Sequence, residues 1–255
     1  MDDNGLILYE FPCSEKIRMY MRLEMLFHRF EWFLKADSSF AHHAALGALF
    51  DLTDVSARSD LRAELLQELE RQRSSLVRLR GKGGVDAAKL EATLAEIDDA
   101  FKAASRNVGR SGQSIRENEW LQLVRTRQSI PGGTCEFDMP MFHYWLSMPP
   151  AERRAELSEW FASMAPTRQA VLLVLRLLRG AMEEARVKAP SGTYQRPMAG
   201  KTYAIARIWL PTESQLVPEV SANKYMLWVR FSRPDERRRL HPVREPVSFT
   251  LGLCG

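Results

Sequence analysis

Apolar residues recur at spacings of three and four over most of the first 188 positions, and beyond Pro190 this pattern gives way to short segments divided by Pro, Gly and Ser. A repeat near 3.6 belongs to helices that bury one face, and a repeat of two belongs to strands. The chain therefore needs both kinds of layer. The clearest seam is Met19, Leu23, Leu26, Phe30 and Phe33, which predicts a helix over Glu15 to Lys35. Phe11-Pro12 supplies the break before it and Ser14 its N-cap. Helices are also predicted from Phe40 to Leu52 and from Asp60 to Arg80. In the latter, Leu65, Leu69, Leu76 and Leu79 form a stripe that Leu90, Leu94, Ile97 and Phe101 repeat after the GKGG break and the N-cap Asp86. Two narrow stripes joined by a glycine turn predict a long antiparallel hairpin.

Ser105 to Gly112 reads as a loop before a helix over Ser114 to Arg127. In SIPGGTCEFDMP, Pro131 removes an amide donor and Gly132-Gly133 permit positive φ, so the chain must stop and turn. Helices follow at Pro140 to Ser147, Ala151 to Ala162 and Thr167 to Lys188. The run AVLLVLRLL in the last is apolar nearly all round, as in a central buried helix. Strands are predicted at Lys201 to Leu210, Tyr225 to Phe231 and Val247 to Leu253. Leu6 to Phe11 should join the same sheet, because an isolated strand has no partners for its backbone groups. The expected fold is α+β: a mainly helical domain over 14–189 with long antiparallel helices, and a smaller antiparallel β domain of 6–11 with 190–255.

Of the 255 residues 45% are hydrophobic, enough to offset the entropy lost on folding. The formal charge of +4 favours an acidic partner without choosing its class. Cys13, Cys135 and Cys254 have no CxxC spacing, so neither a disulfide framework nor a zinc site is expected, and a reducing cytoplasm fits. MDDNGLILYE lacks the basic and apolar regions of a secretory signal. The apolar run Ala170 to Leu178 is interrupted by Arg176 and falls short of the roughly 20 residues that span a bilayer, so no membrane insertion is expected.

No phosphate-binding glycine loop, GxGxxG, GxSxG or HExxH occurs, which weakens an enzymatic reading. Cys135, Asp138 and His143 are close in sequence, but a nucleophile and base are defined by geometry, and a cysteine such as Cys135 is more often a small packed residue. The neighbours His42 and His43 point about 100° apart on a helix and cannot share a metal; they are expected at the surface. Neither a metal nor a cofactor is expected. Arg18, Arg22 and Arg29 lie along one side of the first helix, offset from its seam. They form either a face for carboxylates or a solvated side neutralised by Glu15 and Glu24. Arg58, Arg62, Arg125 and Arg127 allow the same two readings. The run Glu236 to Arg239 reads as an exposed connection between strands, and specific nucleic-acid binding is not expected of it.

Three segments in order, LYEFPCSEKIRMYMRLEMLF, LRAELLQELERQRSSL and LVRTRQSIPGGTCEFDMPMFHYWL, resemble the ZapD family, the FtsZ-ring-associated cell division proteins. The likeness runs from about Leu6 to Leu178 and more weakly beyond. It implies a non-enzymatic cytoplasmic homodimer at the mid-cell division site. Each copy would bind the acidic and apolar carboxy-terminal peptide of FtsZ, and the dimer would bundle its filaments. Carried across by segment, the resemblance places the tail-binding surface on Arg18, Arg22, Arg58 and His143, with Arg62, Arg116 and Arg125 as further candidates. In RENEWLQLVRTR the chain has Glu119 where some members carry a basic residue, with Arg116 one turn before it. The competing readings are a basic helical scaffold for nucleic acid and an enzyme using Cys135 and His143.

Overall fold

A computed structural model describes residues 5–57, 60–106 and 111–255, and the candidate Arg58 lies outside them. The chain divides into two compact units, Tyr20–Val174 and the residues up to Met19 with Leu175–Gly255. The divisions fall inside helices α1 (Glu15–Lys35) and α9 (Ala165–Gly180).

The first unit is helical. Beyond α1 it contains α2 (Ser39–Ser56), α3 (Leu61–Val77), α4 (Ala87–Arg106), α5 (Gln113–Glu117), α6 (Glu119–Gln128), α7 (Pro140–Ser147) and α8 (Pro150–Ala162). Of the predicted seam of α1, Met19, Leu23, Leu26 and Phe30 are buried and Phe33 is half-buried, while Tyr20 and Phe27, outside that seam, are also closed to solvent. Phe30 stacks on Phe161 of α8 at 4.7 Å. Helix α2 buries residues on most sides, from Ala45 and Leu46 to Leu49 and Leu52. The α3/α4 hairpin forms as expected around Leu65, Leu69, Leu90, Leu94 and Ile97. Asp86 accepts from the Lys89 amide at 3.0 Å, and Arg73–Asp98 (2.7 Å) and Arg80–Glu91 (2.7 Å) bridge its flanks. Phe101 is only half-buried, and Ala100 and Ala104 take the inner positions at that end.

The second unit holds two antiparallel sheets. One has the order β1-β4-β8-β2, built from β1 (Leu6–Pro12), β2 (Met182–Ala189), β4 (Ile205–Pro211) and β8 (Val247–Cys254). The other has the order β3-β6-β5, from β3 (Thr193–Pro197), β5 (Val217–Ala222) and β6 (Met226–Pro234), and β7 (Leu240–Pro242) also pairs β6. Alternate residues from both sheets share one core, among them Ala206, Ile208 and Leu210 of β4, Leu227, Val229 and Phe231 of β6, and Phe249 and Leu251 of β8. Phe231 and Phe249 meet edge to face at 4.8 Å. The N-terminal strand pairs β4 along its whole length, Leu6 opposite Pro211 and Pro12 opposite Ile205, so the two ends of the sequence fold together. After Pro12, Ser14 caps α1 through the Ile17 amide at 3.3 Å.

Three expectations are corrected. The helix expected over Thr167 to Lys188 ends at Gly180, and Met182–Ala189 is a strand. Its Glu, Ala, Arg and Lys content favours helix, but eight residues in register with β8, Met182 opposite Cys254 through Ala189 opposite Val247, satisfy its backbone instead. The helix expected over Ser114 to Arg127 is broken at Asn118, whose extended backbone and side-chain bond to the Leu121 amide (3.0 Å) start α6 afresh. The His42-His43 pair is not at the surface: His42 is fully buried, and half-buried His43 meets the Phe142 ring edge to face at 5.0 Å. The short strands β3, β5 and β7 went unpredicted because they are polar or contain proline. The 236–239 segment is the exposed connection between β6 and β7, held by Asp235, whose carboxylate accepts the Arg237 and Arg239 amides at 2.8 Å each.

Candidate functional site

Offset from its apolar seam by about 100°, α1 leaves a second side to solvent. Arg18, Arg22, Met25, Arg29 and Trp32 lie there at spacings of four, three, four and three. This is the same repeat as the buried seam, so the five side chains form a second stripe along one helix. Met25 is 54% and Trp32 77% exposed. Trp32 and Met25 were not singled out in the sequence, although their spacing from the arginines was the available signal.

The basic members differ in what holds them. Arg18 donates to Glu15 at 3.1 Å, both exposed, which contributes little in water. Arg29 approaches Asp51 of α2 at 3.6 Å. Arg22 has neither an ion pair nor a side-chain hydrogen bond among the described residues, and its five donors face water. One turn of helix separates Arg18 from Arg22, so a carboxylate-bearing segment laid along α1 can meet both.

The other candidates are held elsewhere. Arg62 donates to the carbonyls of Ala104 (3.0 Å) and Ser105, closing the C-terminal end of α4. Arg116 donates to the carbonyls of Ser111 (2.9 Å) and Thr53 (2.6 Å), and Arg125 to Asp54 at 2.6 Å. The fold thus brings Arg116 and Arg125 together at the C-terminal end of α2, where cations suit the helix dipole. Exposed Glu119 stands in the first turn of α6, the end at which a carboxylate is favoured.

His143 projects from α7, delivered by the SIPGG segment. There Gly133 donates to the Ile130 carbonyl, Cys135 to that of Gly132 and Met139 to that of Cys135 (2.9–3.1 Å), so successive turns lead to Pro140 at the start of the helix. Gly132 has φ +72°, and a side chain on Gly133 would lie 2.5 Å from the Arg127 carbonyl. His143 is exposed, 3.6 Å from Glu136. No hydrogen bond or ion pair joins it to Cys135 among the described residues.

On the same helix Phe142 and Trp145 turn inward while Met141 and Tyr144 turn out. Trp145, with Trp120 of α6 and Trp160 of α8, builds an aromatic cluster that is not legible in the sequence, because its members are 15 to 40 positions apart. Among the described residues no group of three or more His, Cys, Asp or Glu could hold a metal ion. No single helix there is long and apolar enough to cross a membrane.

A family model described as ZapD, cell division protein, matches residues 21–230, which takes in α2 to α9, the SIPGG turn and strands β2 to β5. The chain belongs to the ZapD family of cell division proteins.

Proposed function

We propose that this protein binds the carboxy-terminal tail of FtsZ on the exposed face of α1 and, as a homodimer, cross-links FtsZ filaments at the cytoplasmic division site without catalysing a reaction. Family membership supports a role in division. The observation that carries the tail reading is the solvent-facing guanidinium of Arg22, unpartnered among the described residues, with Arg18 one turn away and the apolar side chain of Met25 beside it. Arginine forks take carboxylates in two-point hydrogen bonds, and an adjacent apolar surface covers the aliphatic side chains of a mixed acidic and apolar peptide. His143 and Arg58 extend the proposed surface by resemblance.

Two such faces in a dimer would hold two tails. A filament presents many tails, so weak single contacts would combine through effective concentration into firm bundling. Co-sedimentation with FtsZ polymers, with and without the carboxy-terminal tail, tests the reading. Pelleting and increased light scattering that vanish on tail removal are expected; equal pelleting with tailless polymers, or a strictly monomeric protein in sedimentation equilibrium, would refute it. A mobility-shift series with duplex DNA serves as the control for general polyanion attraction.

A further inference from the structure

Three indoles of the helical unit meet at one surface. Trp120 lies 5.8 Å from Trp145 and 5.4 Å from Trp160, and Trp145 lies 6.0 Å from Trp160, measured between ring centres. Together with Tyr144, Met141 and Glu156 they line a cleft of about 370 Å³. Tyr144 is 64% and Met141 62% exposed, so the rim is apolar and open. Trp145 is the floor, 4% exposed, and its indole N–H donates to Glu156 Oε2 at 2.6 Å. Among the described residues Glu156 is the only charged side chain in the lining, and its Oε1 has no hydrogen bond.

The charge of the occupant follows from these groups. Aromatic faces carry partial negative charge, and the carboxylate adds a full one, so the cleft attracts cations and repels anions. A neutral apolar occupant would strip water from Glu156 without replacing it, which costs free energy. The kind of cation follows from the ring angles. Trp120 and Trp160 are 38° apart, Trp145 and Trp160 35°, and Trp120 and Trp145 58°. Such surfaces form a tilted shelf, whereas a spherical quaternary ammonium is best enclosed by walls near right angles. A planar guanidinium stacks on a shelf and has N–H groups for Oε1, which a quaternary ammonium lacks. Its methylene stem can lie along the thioether of Met141 and the ring of Tyr144.

The geometry points to this cleft as a docking site for an arginine side chain presented by a partner polypeptide. It shares no residue with the proposed tail contact of Arg18 and Arg22, has the opposite charge preference, and does not depend on that reading.

The test is a titration of the full-length protein with an acetylated, amidated Leu-Arg-Leu peptide, following the indole N–H resonances by NMR. Saturable shifts at the three indoles are expected, with the citrulline version of the peptide binding about fivefold more weakly. In Glu156→Gln, whose amide oxygen still accepts the Trp145 N–H, the preference for the arginine peptide should shrink to what the indole faces alone supply, about twofold. Equal binding of both peptides to the unaltered protein, tighter binding of tetramethylammonium than of the arginine peptide, absence of indole shifts at millimolar peptide, or undiminished discrimination in Glu156→Gln would each overturn the proposal.

Discussion

Arg153 Nε donates to His42 Nδ1 at 3.0 Å, and this bond defines the protonation state of a fully buried imidazole. Guanidinium cannot accept, so Nδ1 must carry its lone pair and the proton resides on Nε2. Arg153, itself 4% exposed, also donates to the carbonyls of Leu146 (2.9 Å), Met148 and Asp37 (2.9 Å). A buried cation is thus satisfied by backbone dipoles from the α7/α8 and α1/α2 junctions. Beside it, Arg154 pairs with Asp37 at 2.5 Å.

This clasp makes stability depend on pH. Burial, and then the charge of Arg153, hold the His42 pKa below its ordinary value; burial does the same to His43. The unfolded chain takes up these protons near pH 6.5, and the folded chain only at lower pH. The contribution is therefore complete above about pH 6.5 and falls as pH drops toward the folded values, by at most about 1.4 kcal/mol per histidine per pH unit. Urea unfolding followed by tryptophan fluorescence should show lower stability at pH 5.5 than at 7.5. His42→Asn, whose carbonyl can accept from Arg153, should flatten that slope; an unaltered slope would remove His42 from the explanation.

Reversing charge at Arg18 and Arg22 should separate binding from folding. Both side chains are exposed and neither holds a helix junction, so Arg18→Glu/Arg22→Glu should keep the wild-type circular dichroism. Affinity for an FtsZ tail peptide should fall at least about tenfold, since two charge-assisted contacts become repulsive. Wild-type binding should weaken with added salt. Unchanged peptide affinity in the double variant would reject α1 as the site.

Gly133→Ala should act on stability. The new methyl group would meet the Arg127 carbonyl at 2.5 Å and Ile130 Cβ at 2.9 Å, and backbone cannot yield as a flexible side-chain tip would. A cost of about 2–4 kcal/mol is expected, read as a melting temperature lower by roughly 5–15 °C. A shift below 1 °C would mean that the turn accommodates the methyl.

In the β unit, Glu10 of β1 accepts from Arg179 Nε and Nη2 at 3.0 and 2.8 Å, and Arg207 Nε lies 2.9 Å from the same carboxylate. All three side chains are about one-fifth exposed. Glu10→Ala removes a carboxylate that both arginines approach. The expected loss, discounted for residual solvent, is about 2 kcal/mol in chemical denaturation. A variant as stable as the parent would show that water fully replaces the carboxylate.

The three thiols should react in a set order. Cys135 is exposed, Cys254 is buried, and burial pushes half-buried Cys13 up to about 11. At pH 8, iodoacetamide labelling read by mass spectrometry should modify Cys135 first and the other two far more slowly. Rapid labelling of Cys254 would contradict its place in β8.

The helical seams were legible in the sequence because a 3.6-residue repeat is written in neighbouring residues. Leu23, Phe30, Leu65, Leu69, Leu94 and Ile97 are buried where their spacing placed them. The co-folding of the two chain ends was legible from the need of an isolated N-terminal strand for partners. The family was legible from three ordered segments. Arg18 and Arg22 were legible as an exposed pair on α1, but Trp32 and the indole cluster were not read, since exposure of an aromatic is decided by what fails to cover it.

Local pattern by itself determined the α+β class, the long hairpin, the Ser14 and Asp86 caps and the SIPGG turn, because each depends on a few consecutive residues. Only the tertiary structure decided that Met182–Ala189 is a strand, that His42 is buried, and that Arg62 and Arg116 hold backbone carbonyls. Those outcomes rest on partners far along the chain, Cys254 opposite Met182 and Arg153 on His42 at a separation of 111 residues. A buried polar group or a strand backbone takes whichever partner the packed fold brings to it, and intrinsic propensity is too weak to prevail over that satisfaction.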